Sequence, residues 1–259
     1  MINKVFILEN KKIKGIEEEK KKVEKFVESC GKIVEKDIKN VDLLITMGGD
    51  GTLIKGIHLL GENNPLIYGI KYGKVGFLTN SNKNIEEKIK NIFDEKFYLS
   101  ERCLIEVRIK SRTNIVKDIC LNEVIFFRKV IRILSFSVES DKEKIFDFRG
   151  DGIIFSTPTG STAHSLSAGG PVLSPELNAF LIIPVMPHLL TTRPVIVDGK
   201  ICVKMKVNGE ISAVVDGQKE YFVDEKAEIE ISLSKRKGRI ILDDGKFFEK
   251  LSSKFFWSK

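Results

Sequence analysis

The hydrophobic period of the chain changes once, near residue 97, and that change limits the fold more than any other feature. Up to about residue 96, apolar runs of strand length alternate with segments of helical spacing. KVFIL is followed by a stretch with Ile16, Val23, Phe26, Val27 and Cys30 on one face, then by IVEKD, DLLIT, TLIKGIHLL, LIYGI and NIEEKIKNIF. Strands that alternate with helices build a parallel sheet covered by helices. After Phe97 the period drops to two. CLIEVRIK sets Ile105, Val107 and Ile109 against Glu106, Arg108 and Lys110, and LSFSVES, ICVKMKV and EIEISL repeat the alternation. That pattern predicts antiparallel sheet with one wet face. The expected fold is an N-terminal α/β domain with a Rossmann-like parallel sheet over residues 1–98, then an antiparallel β-rich domain over residues 99–243. The last stretch, KFFEKLSSKFFWSK, gathers Phe247, Phe248, Leu251, Phe255, Phe256 and Trp257. Apolar residues at that density must dock, so residues 244–259 are expected to return to the first domain or to meet another subunit.

With 259 residues there is core enough for two domains. A hydrophobic content of 42% and a mean hydropathy of -0.07 suit a soluble protein. No apolar run is long enough to cross a bilayer, and MINKVFILENKK lacks the apolar region and cleavage site of a signal peptide. A cytosolic protein without a membrane partner is expected. Cys30, Cys103, Cys120 and Cys202 have no CxxC spacing, so they are read as buried free thiols in a reducing compartment, and no metal site is assigned. The net charge is +7, from 43 basic and 36 acidic residues, but lysines and glutamates interleave, as in EEEKKKVEK. This is the pattern of a solvated helix face, so no nucleic-acid partner is expected. A modest positive field suits anionic nucleotides.

ITMGGDGTLIKG, residues 45–56, puts Gly48, Gly49, Asp50 and Gly51 between a strand and a helix. Such a loop presents backbone N–H groups at a helix N-terminus, and glycine lets an anion approach the main chain. GxxxxGK[ST] is absent, and GxGxxG fails because Ile54 stands at its last glycine. An aspartate inside a phosphate cradle points to phosphoryl transfer, where it holds a metal or accepts a proton. The competing explanation is a helix N-cap in a glycine-rich turn.

A second polar cluster is FRGDGIIFSTPTGSTAHSLSAGGP, residues 148–171. A strand over residues 153–155 leads into a hydroxyl-rich turn and a short helix-like TAHSLSA, stopped by Gly169 and Gly170. Hydroxyls and N–H groups at such a turn suit ribose, phosphate or carboxamide. Capping alone accounts equally for Thr159 or Ser161. Arg149 and Asp151, just before a buried strand, need partners. In CLNEVIFFRK, Asn122 and Glu123 interrupt an apolar strand. Adjacent strand residues face opposite sides, so one of the two can be solvent-facing. Together with the other clusters, a carboxylate for ribose hydroxyls and an amide for a base is the better account.

GGDGT at 48–52, GKVGFLT at 73–79, NEV at 122–124, DGIIFSTPTGSTAHSLSAGGPVLSP at 151–175 and MPHLLTTRPVIV at 186–197 together resemble the NAD kinase family in order and spacing. GGDGT alone is shared with lipid kinases and phosphofructokinases. The resemblance implies ATP-dependent phosphorylation of the adenosine-ribose 2′-hydroxyl of NAD, with Mg²⁺ or another divalent cation. It does not distinguish ATP from polyphosphate as donor. It further implies an active site between the two domains and a homo-oligomer, expected to be a tetramer. By matching position, Asp50 is the catalytic base, while Gly51 and Lys55 line the same loop. Asn122 and Glu123 match the adenosine-binding pair, and Arg149 and Asp151 match NAD contacts made partly across a subunit interface. Thr162, Ala163, His164, Ser165, Leu166 and Ser167 match the dinucleotide-binding turn, and Gln218 matches a further contact. His164 departs from the tyrosine usual in the family; an imidazole can still stack on a ring of the dinucleotide. His58 and His188 are given no catalytic role. A GGDGT-type lipid kinase and a non-catalytic NAD(P) sensor are the alternatives.

Overall fold

The computed structural model describes residues 2–73, 76–111 and 114–255. The chain divides into two compact units, one running up to Glu101 and resuming at Gly238, the other spanning Arg102–Lys237. Both crossings fall inside long strands, β5 (Tyr98–Lys110) and β16 (Glu228–Leu242).

In the first unit, β1 (Lys4–Glu9), β2 (Ile33–Val34), β3 (Leu43–Gly48) and β4 (Leu66–Lys71) form a parallel sheet in the order β2-β1-β3-β4. The far end of β16 extends it, pairing Arg239–Ile241 in parallel with Leu66–Tyr68. All six residues of β3 are buried, which is why DLLIT reads as an unbroken apolar run. Helices α1 (Ile16–Ser29), α2 (Asp50–Leu59) and α3 (Ile85–Phe93) belong to this unit. The apolar faces of α1 (Ile16, Val23, Val27) and α3 (Ile89, Ile92) share one core with Val5, Ile7, Leu43, Ile45, Met47 and Ile70. IVEKD supplies only two strand residues. It lies at the sheet edge, where Ile33 is half exposed and one ladder suffices. The terminal helix α5 (Phe247–Phe255) buries Leu251 and sets Phe247 and Phe255 against Phe77. Phe256 and Trp257 lie outside the described residues.

In the second unit, β7 (Glu123–Arg128), β10 (Gly152–Ser156), β11 (Ala179–Val185), β12 (Val195–Asp198), β14 (Ile211–Val215) and β15 (Lys219–Val223) form an antiparallel sheet in the order β12-β11-β10-β7-β14-β15. A second antiparallel layer contains β6 (Ile115–Cys120), β8 (Leu134–Ser140), β9 (Lys144–Gly150) and β13 (Val203–Val207), with the near ends of β5 and β16. The two layers share one core. Ile105, Val107 and Ile109 of β5 enter it as their alternation requires, beside Phe126, Phe155, Phe136 and Met205.

One strand assignment is corrected. Asn122 and Glu123 do not interrupt a strand: β6 ends at Cys120 and β7 begins at Glu123. The chain turns there because the N–H groups of Leu121, Asn122 and Glu123 donate to the Asp216 carboxylate at 2.8, 2.7 and 3.1 Å.

Candidate active site

In the first unit the glycine-rich loop joins β3 to α2. Gly49, with φ -106° and ψ -172°, is the N-cap, and Asp50 is the first helical residue. Asp50 is therefore not the cap. Its side chain reaches the loop after β4, where Oδ2 accepts the Phe77 N–H at 2.7 Å and Oδ1 accepts the Leu78 N–H at 3.2 Å and the Thr79 hydroxyl at 3.0 Å. That loop is the end of GKVGFLT, of which Lys74 and Val75 lie outside the described residues. A Cβ at Gly76 would lie 2.0 Å from Asp50 Oδ1, so the glycine there makes room for the carboxylate.

The three loop glycines differ in what requires them. A Cβ at Gly48 would lie 2.2 Å from Thr52 Oγ1, so internal packing demands glycine. At Gly49 and Gly51 a Cβ would meet no atom within 4 Å, and neither residue is in the left-handed region. Neither protein packing nor backbone conformation accounts for them. What they provide is open ground before a helix N-terminus, where N–H groups and the helix dipole favour an anion. Lys55 is exposed on the same helix.

In the second unit, Glu123 is buried at the start of β7, directly opposite Ser156 at the end of β10. Its Oε2 is buried without a hydrogen-bond partner, and so is Oγ1 of Thr159. Burial, and then the nearby Asp216 carboxylate, push the Glu123 pKa up to about 8. Two orphaned polar atoms at one corner call for partners from outside the chain, because an unsatisfied buried group costs about 1–3 kcal/mol.

The hydroxyl-rich turn is seated on this corner. Thr157 N–H and Ser156 Oγ donate to the Asn122 carbonyl at 2.8 and 3.3 Å. A Cβ at Gly160 would lie 2.2 Å from that carbonyl oxygen, so only glycine permits the contact. Ser161 Oγ donates to the Pro158 carbonyl at 2.6 Å, and Ser165 Oγ to the Gly160 carbonyl at 2.7 Å. Ser161 and Ser165 thus fold the turn on itself, whereas Thr159 retains an unsatisfied hydroxyl. Thr162 donates to the Thr159 carbonyl at 3.3 Å. The short helix α4 (His164–Ser167) exposes His164 and Ser167 and leaves Ala163, just before it, and Leu166 half-buried.

Arg149 and Asp151 lie elsewhere. The register pairs Ser156 with Glu123 and Gly152 with Phe127, so Asp151 adjoins the opposite end of β10, roughly 13 Å away at 3.3 Å per residue. Asp151 forms a fork with Arg128, whose Nε and Nη2 lie 2.9 and 3.1 Å from its two oxygens. Arg149 is exposed and borders a cavity of about 850 Å³ that Lys144, His188, Leu189 and Lys206 also line. Gln218 is exposed, following the Asp216-Gly217 turn that joins β14 to β15, and its N–H donates to the Val215 carbonyl. The structure therefore gathers Asn122, Glu123, Thr159 and the 160–167 turn, and leaves Arg149 and Asp151 at the other end of β10. Sequence inspection missed Asp216, Arg128, Phe77 and Thr79. Asp216 carried a signal as the first residue of an Asp-Gly turn, and Phe77 and Thr79 lie within GKVGFLT, a motif whose single residues have no role assigned from the sequence.

Residues 3–97 match the family model for the ATP-NAD kinase N-terminal domain, and residues 121–242 that for the ATP-NAD kinase C-terminal domain. The chain is 37% identical over 232 residues to an NAD kinase of Fusobacterium nucleatum subsp. nucleatum, covering 87% of this chain and 85% of that one. To an NAD kinase of Methanothermobacter thermautotrophicus it is 34% identical over 225 residues, covering 84% and 78%. The solved structure of an NAD kinase from Archaeoglobus fulgidus in complex with ATP superposes with a TM-score of 0.81 at 27% identity, covering 96% of this chain and 99% of that one. Yeast NADH kinase complexed with NADH shares the fold, with a TM-score of 0.92 at 20% identity over 100% of this chain and 89% of that one.

Proposed function

The chain belongs to the NAD kinase family, and we propose that it transfers the γ-phosphoryl group of ATP to the 2′-hydroxyl of the adenosine ribose of NAD, giving NADP. One observation carries the assignment: Asp50 begins α2 between two glycines that face open space, with its carboxylate fixed by Phe77, Leu78 and Thr79. Phosphoryl transfer depends mostly on positioning and charge stabilisation. A ribose hydroxyl is too weak an acid to be ionised in advance by a carboxylate, so Asp50 takes its proton as transfer proceeds. Gly49, Gly51 and Lys55 receive the phosphates.

Glu123 and Thr159 bind the adenosine ribose, Asn122 reads the base, and the turn over residues 160–167 lies along the dinucleotide. Ser161 and Ser165 hold that turn in shape. His164, exposed on α4, stacks on a ring. Because Arg149 and Asp151 stand at the other end of β10, they serve the dinucleotide of a neighbouring subunit in a homotetramer. The apolar residues Val130, Ile131, Met186, Leu189 and Leu190 are exposed on the loops at that same end of the sheet, which supports a subunit contact there. Among the described residues no three His, Cys, Asp or Glu side chains gather into a cage. The Mg²⁺ that accompanies ATP would be carried by its phosphate oxygens. The ion would neutralise charge on the phosphates. The protein acts in the cytosol.

A lipid kinase is disfavoured, since an orphaned carboxyl and an orphaned hydroxyl suit a nucleotide better than an acyl chain. Incubation with NAD, ATP and Mg²⁺, followed by a coupled assay specific for NADP, tests the proposal. Absence of NADP with retained NAD binding would favour a non-catalytic sensor.

A further inference from the structure

We propose that Asp216 is the positioning residue of the adenosine end of the site, fixing the Asn122–Glu123 corner in the shape that receives the ribose. Its two carboxylate oxygens accept three consecutive N–H groups, from Leu121 at 2.8 Å, Asn122 at 2.7 Å and Glu123 at 3.1 Å. Its own N–H returns to the Glu123 carbonyl at 2.9 Å. Four hydrogen bonds thus tie a residue of the β14–β15 turn to a corner more than ninety positions earlier, and Asp216 is itself buried.

A turn residue alone does not need this. Asp216 has φ 50° and Gly217 φ 62°, and asparagine adopts such a conformation as readily as aspartate. What asparagine lacks is a second acceptor oxygen and the charge. The charge matters because Glu123 sits beside Asp216 with an unpartnered oxygen, and repulsion between them raises the Glu123 pKa on top of burial. The other titratable groups at this corner are Cys120, wholly buried, and Asp118, which Lys219 pairs at 3.0 Å and Tyr221 hydrogen-bonds at 2.8 Å. Asp216 thereby sets both the position of the Glu123 carboxyl and the pH at which it ionises.

The inference rests on NAD as the ligand of this corner, and Asp216→Asn tests it. In the ligand-free variant the ¹³C carboxyl resonance of Glu123 should titrate at lower pH than in the wild type, by about one unit. The KM for NAD should rise roughly tenfold or more, while the KM for ATP stays near the wild-type value. A mere turn role predicts an unchanged KM for NAD, and that result would overturn the inference; an unmoved Glu123 titration would equally show that Asp216 does not set the ionisation of the carboxyl. Should the variant not fold, the wild type still decides. Amide exchange at Leu121, Asn122 and Glu123 should be among the slowest in the second unit, and fast exchange there would overturn the proposal. A wild-type protein that makes no NADP would instead refute the assigned activity, and the carboxyl titration and amide exchange would remain readable.

Discussion

Phe77 donates its backbone N–H to the Asp50 carboxylate at 2.7 Å while its ring packs against Phe247 and Phe255, each 6.1 Å away between centroids. Lys254 adds a cation over the same ring at 4.1 Å. The C-terminal helix therefore bears on the position of the proposed base through the Phe77 side chain. Phe77→Ala keeps the N–H but removes what holds it in place. Each aromatic contact is worth about 0.5–1.5 kcal/mol and the cation–π contact about 0.5–1. We expect kcat to fall roughly tenfold with little change in the KM for NAD, because a near-attack geometry tolerates little displacement. Steady-state kinetics beside a melting curve checks this; an unchanged kcat would detach α5 from the chemistry.

The glycines of the loop should separate by role. Gly51→Ala, inside a helix and facing open space, should leave stability unchanged or raise it by about 0.5–1 kcal/mol, yet raise the KM for ATP. Gly48→Ala should destabilise, since its Cβ would lie 2.2 Å from Thr52 Oγ1. Melting temperature and the KM for ATP, measured on both variants, discriminate. A Gly51→Ala enzyme that is stable with unaltered ATP kinetics would remove the phosphate from this loop.

These two cases mark where sequence inspection succeeds and where it stops. Hydrophobic period is a local property, so β3, α2 and the alternating strands could be read directly, and the glycines and Asp50 were visible as a motif. Partnership is not local. Asp50 is bound 27 to 29 positions away, Asp151 finds Arg128 23 positions back, and Asp216 holds residues 93 to 95 positions earlier. One sequence contains no register that would pair them. The corner at Asn122 departs from the continuous strand its neighbours suggest for the same reason, because Asp216, supplied from another hairpin, takes the N–H groups there. Ser165 belonged to a motif of ligand-binding residues, but its hydroxyl is spent on a neighbouring carbonyl.

Glu123 makes stability depend on pH in a definite direction. Its carboxyl rises from an ordinary value of 4.5 to about 8 in the folded chain, through burial and then the charge of Asp216. Between those values the folded state holds a proton that the unfolded state has released. Its contribution is thus fully present below about pH 4.5 and is lost as pH rises through about 8, by up to ~1.4 kcal/mol per pH unit. In Glu123→Gln this part of the slope should vanish. Urea unfolding of both proteins from pH 5 to pH 9 measures the difference, and parallel profiles would mean that Glu123 is ionised throughout. If ribose hydroxyls need the carboxylate, NAD binding near neutral pH should also release a proton, detectable by calorimetry in buffers of different ionisation enthalpy.

The most direct test concerns Asp50, whose carboxylate oxygens take three hydrogen bonds from residues 77–79. In Asp50→Asn the amide oxygen can keep Leu78 and Thr79, but the NH₂ then confronts the Phe77 N–H. One donor is left unsatisfied, at about 1–3 kcal/mol. A modest fall in melting temperature is therefore expected, and Thr79→Val serves as the control. That variant also loses one bond of the cluster while keeping the carboxylate. If Asp50 is the base, its asparagine variant should lose about 10²–10⁴-fold in kcat with NAD affinity retained, whereas Thr79→Val should lose far less for a comparable destabilisation. Equal losses in the two variants would mean that Asp50 serves the loop's structure and that the proton leaves the ribose by another route.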